Sequence, residues 1–223
     1  MGLNSSHEHD LNRFYGLIGK LEKGLKGKRY FNQDYGKSYW PDGGVYFIFE
    51  ESQNRKNDLN GMRVTRVGKS SSLSRRWNQH RGKAGGGGNH RISALRSHVG
   101  NAFISKDRLD VATWNEDDVP KSSVPSAEVL VERLVSEFIR NRMQLLWLSV
   151  PSASVRSYIE ENSIAILSNE TNPIDKPSID WLGNHSPEVE IRLSGLWNVQ
   201  HVRELYEPGF LDVLEKYVIS TIG

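Results

Sequence analysis

The chain of 223 residues contains no cysteine. This excludes a disulfide framework, a thiolate zinc site, an iron–sulfur cluster and a cysteine nucleophile, and it fits a reducing compartment. No apolar run approaches the ~20 residues that a membrane span needs. The opening Met1-Gly2-Leu3-Asn4-Ser5-Ser6-His7 lacks the apolar stretch of a secretory signal. The expectation is therefore a cytoplasmic protein with no membrane partner. A large net charge is also missing, since 29 Lys and Arg face 27 Asp and Glu for a formal +2.

What is present is a core and an uneven distribution of charge. At 37% hydrophobic and 25% charged, with six Trp, seven Phe and eight Tyr, the composition is that of a folded globular chain. Residues 61–110 hold eleven Lys and Arg against Asp107 and Asp110, a net +9 that leaves −7 on the other 173 residues. Such a split predicts either a surface facing a polyanion or a solvated basic face without a partner.

Periodicity places the elements. Residues 11–25 carry Leu11, Phe14, Leu17, Ile18 and Leu21 at helical steps and read as an N-terminal helical extension. Residues 45–50 read as a buried strand, 51–61 as a hairpin loop and 62–68 as the returning strand. A helix follows Ser70–Ser72 and sets Leu73, Trp77 and His80 on one face, with Arg76 beside them. Gly85 to Gly88 lack the Lys-Ser/Thr ending of a phosphate loop and read as a flexible linker. Helices are expected over 89–99, 127–142 and 154–167, strands over 110–114 and 145–151, and a turn-rich tail to about residue 211. No internal repeat is visible.

Gly44-Val45-Tyr46, then Arg66-Val67-Gly68-Lys69-Ser70, then Arg76 and His80, eight and twelve residues past Gly68, form an ordered set. So placed, with Glu160 on a later helix, they resemble the GIY-YIG nuclease superfamily. The resemblance covers about residues 39–172. The tail segments 177–183 and 194–198 look like the extensions of bacterial members related to restriction endonucleases. The chain departs from the pattern in two places. Arg66 stands where the second motif normally has Tyr, and the 80 residues from His80 to Glu160 exceed the usual gap.

The resemblance implies an α/β (α+β) fold with a small, mostly antiparallel three-stranded sheet flanked by helices. An N-terminal extension (1–38) would precede the nuclease core (39–172), which carries an insertion at about 83–125. A C-terminal extension (173–223) would follow. It implies a metal-dependent DNA endonuclease, with restriction or defence as the setting, acting on double-stranded DNA, with a homodimer suited to cutting both strands. Glu160 would bind Mg²⁺, with Mn²⁺ as a substitute; Glu161 is the rival ligand. Arg76, with Arg75 as rival, would hold the scissile phosphate. Tyr46 would act as general base, aided by His80. An ordinary Tyr titrates near pH 10, and a fixed positive charge beside a phenol favours phenolate, which gives Arg66 a role. Lys69, Ser70, Arg75 and Arg81 would contact phosphates, as would Asn172 or its rival Asn169. The alternative is a DNA- or RNA-binding module that kept the fold and lost turnover at Arg66.

Overall fold

A computed structural model describes the backbone of residues 2–36, 39–56 and 61–223, with side chains from residue 6 onward except at 121. In chain order the elements are α1 (Gly2–Gly24), β1 (Arg29–Tyr30), β2 (Gly44–Asn54), β3 (Met62–Ser70), α2 (Leu73–Arg81), α3 (Ala94–Asp107) and α4 (Ser126–Arg142). These are followed by β4 (Met143–Ser149), α5 (Ala153–Leu167), α6 (Val189–Ser194) and α7 (Phe210–Ile222). The fold class is the expected mixture of helix and sheet. The sheet has four strands rather than three, all antiparallel, in the order β1-β4-β2-β3. The added strand is two residues long and carries no alternation that a sequence could display.

Helices cover both faces of the sheet, and β2 is the reason. Every residue from Gly44 to Glu50 is buried, as in a strand with an apolar neighbour on each side. Val45, Phe47 and Phe49 point into one core with α1, α5 and α7, through Phe14, Ile159 and Phe210. Tyr46 and Ile48 point into the other with α2, α3 and α4, through Trp77, Leu95 and Val135. The N-terminal helix is therefore part of the core. Arg13 reaches Asp212 at 2.6 Å and Lys20 reaches Glu215 at 3.1 Å, tying the wet edges of α1 and α7 together.

Three other expectations need correction. Residues 110–114 form no strand; a single turn of 3-10 helix, Ala112–Asn115, buries Trp114. The glycine run is a folded turn rather than a loose linker. Gly86 and Gly87 adopt positive φ, Lys83 N–H donates to Gly87 O at 2.9 Å, and Ser136 Oγ–H donates to the same carbonyl at 3.0 Å. The helix expected over 89–99 is a 3-10 turn, His90–Ile92, followed by α3. Among the described residues, no helix is long and apolar enough to cross a membrane.

The outer strand β3 would expose a row of unpaired backbone groups, which folded proteins cover. Here the tail covers it. Trp197 N–H donates to Thr65 O at 2.7 Å. The Asn198 amide acts as a strand would, accepting from Val67 N–H at 3.1 Å and donating to Val67 O at 2.9 Å. Replacing Asn198 by Ala strands both Val67 backbone groups in a buried setting. Each orphaned group costs about 1–3 kcal/mol, so N198A should lower the urea midpoint at an unchanged slope.

Candidate active site

The β2–β3 register sets Tyr46 opposite Gly68. A Cβ at Gly68 would stand 2.3 Å from the Tyr46 hydroxyl oxygen, so the phenol lies directly over bare backbone. That close approach is the physical reason for glycine at this position. The turn into α2 is made by Ser70, whose Oγ accepts from Ser72 N–H at 3.0 Å and donates to Ser72 O at 2.8 Å. Leu73, Trp77 and His80 then face inward on α2. His80 Nε2 comes within 2.9 Å of the Tyr46 hydroxyl, and both side chains are buried. His80 is held well below its ordinary pKa by burial first, and then by the charges of Arg66, Arg76 and Arg96. Its ring is neutral.

Arg66 and Arg76 thus belong to the same neighbourhood. Arg66 shares the sheet face of Gly68, and its Nη1 donates to the Trp197 carbonyl, so the tail that covers β3 also aims this side chain. The Nε of Arg66 and that of Arg76 are both shut from solvent without a hydrogen-bond partner. Neither guanidinium has a carboxylate partner among the described residues. His98 on α3 adds a third polar group of this kind. Its Nδ1 is buried and unpartnered, and burial followed by the Arg66 charge pushes its pKa down to about 4. Two guanidiniums without carboxylates thus act on His80, and one of them on His98, which makes this face of the sheet suited to an anion.

Glu160 stands across the edge strand. Lys69 alternates to the face where α5 packs, and its Nζ lies 2.7 Å from Glu160 and 3.9 Å from Glu161. The Glu160 side chain is 14% exposed and that of Glu161 39%. Tyr46 and Glu160 therefore flank β3 from its two faces.

The remaining expected residues divide. Arg75 is exposed and has no side-chain partner among the described residues. Arg81 donates to Gln33 O at 3.0 Å and pairs with Asp34, so it fastens α2 to the segment after β1. The Ser70 hydroxyl is spent on its turn. Asn169 is buried, with its amide donors on Asp175 O at 2.9 Å and Ser194 O at 3.1 Å. The Asn172 amide nitrogen lies 3.4 Å from His7 Nδ1. The basic block, too, is largely internal. Arg63 is buried and donates to Gly195 O at 2.6 Å. Arg91 pairs with Glu128 at 2.7 Å, and Arg96 is fully buried against Glu132. Of the eleven cations, Arg75, Lys83, Lys106 and Arg108 are exposed. The +9 of the sequence is in good part a set of structural arginines whose carboxylates lie outside the block.

Sequence reasoning did not find Ser93, His98, Trp197 or Asn198 as parts of this site. Ser93 carries a legible signal as the cap of a helix, since its Oγ accepts from Arg96 N–H at 3.3 Å. No spacing rule connects it to His80, 13 residues away, yet His80 Nδ1 lies 2.8 Å from Ser93 Oγ.

A family model described as GIY-YIG domain matches residues 5–222. The match takes in the N-terminal helix and the tail as well as the motifs. Comparison with curated proteins and with solved structures found no match.

Two histidines kept neutral by burial make stability depend on acid. Between the ordinary pKa of 6.5 and the lowered folded value, the unfolded chain binds protons that the folded chain refuses. Stability is therefore full above pH 6.5 and falls as pH drops, for His98 down to about 4. Each group contributes a slope of up to about 1.4 kcal/mol per pH unit. Urea titrations at pH 7.5, 6 and 5 should show this decline, and it should be shallower in H98Q.

Proposed function

The chain belongs to the GIY-YIG domain family, whose members are generally nucleases acting on DNA, and on that premise we propose that it is a divalent-metal-dependent DNA endonuclease. The observation that carries this reading is the contact of Tyr46 with His80 beside two arginines that lack a counter-ion. Elsewhere the same chain meets shielded guanidiniums with carboxylates, at Arg55, Arg91 and Arg96, or with a carbonyl and an amide oxygen, at Arg63. The missing anion is supplied by a scissile phosphate, which the Arg76 fork receives and orients.

Tyr46 takes the proton of the attacking water. His80 holds the phenol oxygen in place from the buried side, and Gly68 lets the ring lie flat enough to reach it. Arg66, kept at the strand edge by Trp197, balances the charge on Tyr46 once its proton has left. Among the described residues no three His, Asp or Glu side chains gather as a metal cage. The donor set is the Glu160 carboxylate, which suits a hard cation that keeps most of its waters and takes its other ligands from phosphate. Glu160 would hold magnesium, with manganese as a substitute, and the metal would supply positive charge at the leaving oxygen. Lys69, paired with Glu160 in the free protein, is placed to turn to a phosphate when DNA arrives. Arg75 lies exposed on the outer side of α2, available to the same backbone. Cutting both strands calls for two such sites, which a homodimer provides.

A panel of plasmid and genomic DNA in Mg²⁺ or Mn²⁺ tests the reading. Discrete metal-dependent fragments are expected, absent in E160A and reduced about 100-fold or more in R76A. A fixed banding pattern would assign a restriction role. A salt-sensitive gel shift without cleavage, identical in wild type and E160A, would favour instead the binding module suggested by Arg66 in the second motif. R66A should move the pH–rate profile upward; an unmoved profile would remove the role given to Arg66.

A further inference from the structure

The polar contacts of His80 continue beyond Tyr46. On its other side Nδ1 lies 2.8 Å from Ser93 Oγ, and Ser93 is 1% exposed. That hydroxyl already accepts one hydrogen bond, from the Arg96 amide at 3.3 Å. A backbone N–H can only donate, so the Ser93 hydrogen needs an acceptor elsewhere. Among the described residues, His80 Nδ1 is the one group in reach that can take it. Solvent is excluded from both partners.

We propose that Ser93 is a positioning residue that sets the direction of the His80–Tyr46 hydrogen bond. The Ser93 hydroxyl donates to His80 Nδ1, the imidazole keeps its single hydrogen on Nε2, and Nε2–H points at the Tyr46 oxygen.

A neutral ring is required for this polarity, because a protonated one offers donors on both sides and leaves the serine hydrogen without an acceptor. Burial and the three arginines facing His80 (Arg66 from β3, Arg76 from its own helix and Arg96 from α3) hold it neutral. The frame around the pair is stiff. Arg96 Nη1 donates to the His80 carbonyl at 3.0 Å, and Arg96 Nε reaches Glu132 at 3.1 Å. The segment from the glycine turn to α3 thus grips His80 twice, by its ring through Ser93 and by its backbone through Arg96. One consequence concerns the reaction. With hydrogen on Nε2, His80 cannot accept the Tyr46 proton. It acts as the donor that steadies the Tyr46 oxygen, and the phenol proton passes to water in the substrate-bound site rather than to the imidazole. A serine outside the motif set thereby decides which of two roles the motif histidine plays.

This proposal rests on the nuclease reading for its kinetic arm only. The direct test is a long-range ¹H–¹⁵N spectrum of protein labelled at histidine, recorded near pH 7.5, with the His80 signals assigned by their loss in H80Q. Wild type should show His80 as the neutral ring protonated on Nε2. S93A, which removes the donor, should shift the ring toward the Nδ1–H form, and S93T, which keeps a hydroxyl at a position where threonine also caps helices, should retain the wild-type pattern. S93A also loses a helix cap, so its spectrum is taken below its measured melting temperature. In cleavage assays S93A should lose at least tenfold in kcat with KM for DNA unchanged, and S93T should recover most of it. A wild-type ring protonated on Nδ1, or a charged ring, overturns the proposal; so does an S93A ring unchanged from wild type. If wild type cleaves no DNA under any metal, the nuclease reading fails, while the spectrum still decides the role of Ser93.

Discussion

The site depends on one close approach, the passage of the Tyr46 ring over the bare backbone of Gly68. Any side chain at Gly68 would collide with the phenol at 2.3 Å. Because none is there, the phenol can lie within a strand buried on both faces and still bring its oxygen to His80 on the neighbouring helix. The rest of the arrangement is built to keep that meeting point. The sheet register fixes Tyr46 opposite Gly68, the Ser70 turn fixes where α2 begins, and a span of nearly two turns along α2 carries the chain from Leu73 to His80. The helix from α3 then closes on His80 from behind, through Ser93 and Arg96.

A second constraint is the open edge of β3. An outer strand invites pairing with another chain, and the tail prevents this with a backbone bond from Trp197 and the side-chain amide of Asn198. The same stretch accepts from Arg66, so covering the edge and aiming the charge are one structural act. Burial of Trp197 and Trp181 anchors it, since both indole N–H groups donate to Glu50 at 3.1 Å. Burial pushes the Glu50 carboxyl above its usual range, opposed by those two indoles and by the Arg63 charge. The C-terminal segment is in this sense a wall of the site.

Charge follows a similar logic. Arginines that support the frame are buried and matched, Arg96 with Glu132 and Arg55 with Asp175 at 2.9 Å. Arg66 and Arg76 near Tyr46 are left without carboxylates. A shielded cation without a carboxylate is costly, and the half-buried Arg66 and Arg76 carry that cost on the side of the sheet where the phenol and the imidazole meet. Glu160 lies beyond the edge strand with Lys69 as its neighbour, on the sheet face away from those arginines.

Much of this was written in the sequence. The strands β2 and β3, the helices α2, α4 and α5, and the positions of Tyr46, Arg76, His80 and Glu160 follow from alternation, helical spacing and motif order, because these are local regularities with short periods. The two-residue β1 was not legible, since two residues carry no period. The residues 110–114 misled because an apolar run reads alike for a short strand and a buried turn. The basic block misled because net charge along a chain is blind to which cations turn inward to Glu128, Glu132 or a carbonyl. Sequence alone determined the family and the short-range grammar of the site, that is, which residue types stand at which step of a strand or helix. Only the tertiary structure decided that Ser93 meets His80, that Trp197 holds Arg66 and that Lys69 meets Glu160. Those contacts join segments from 13 to 131 residues apart, and they exist only once both faces of β2 are buried and the chain has closed around the sheet.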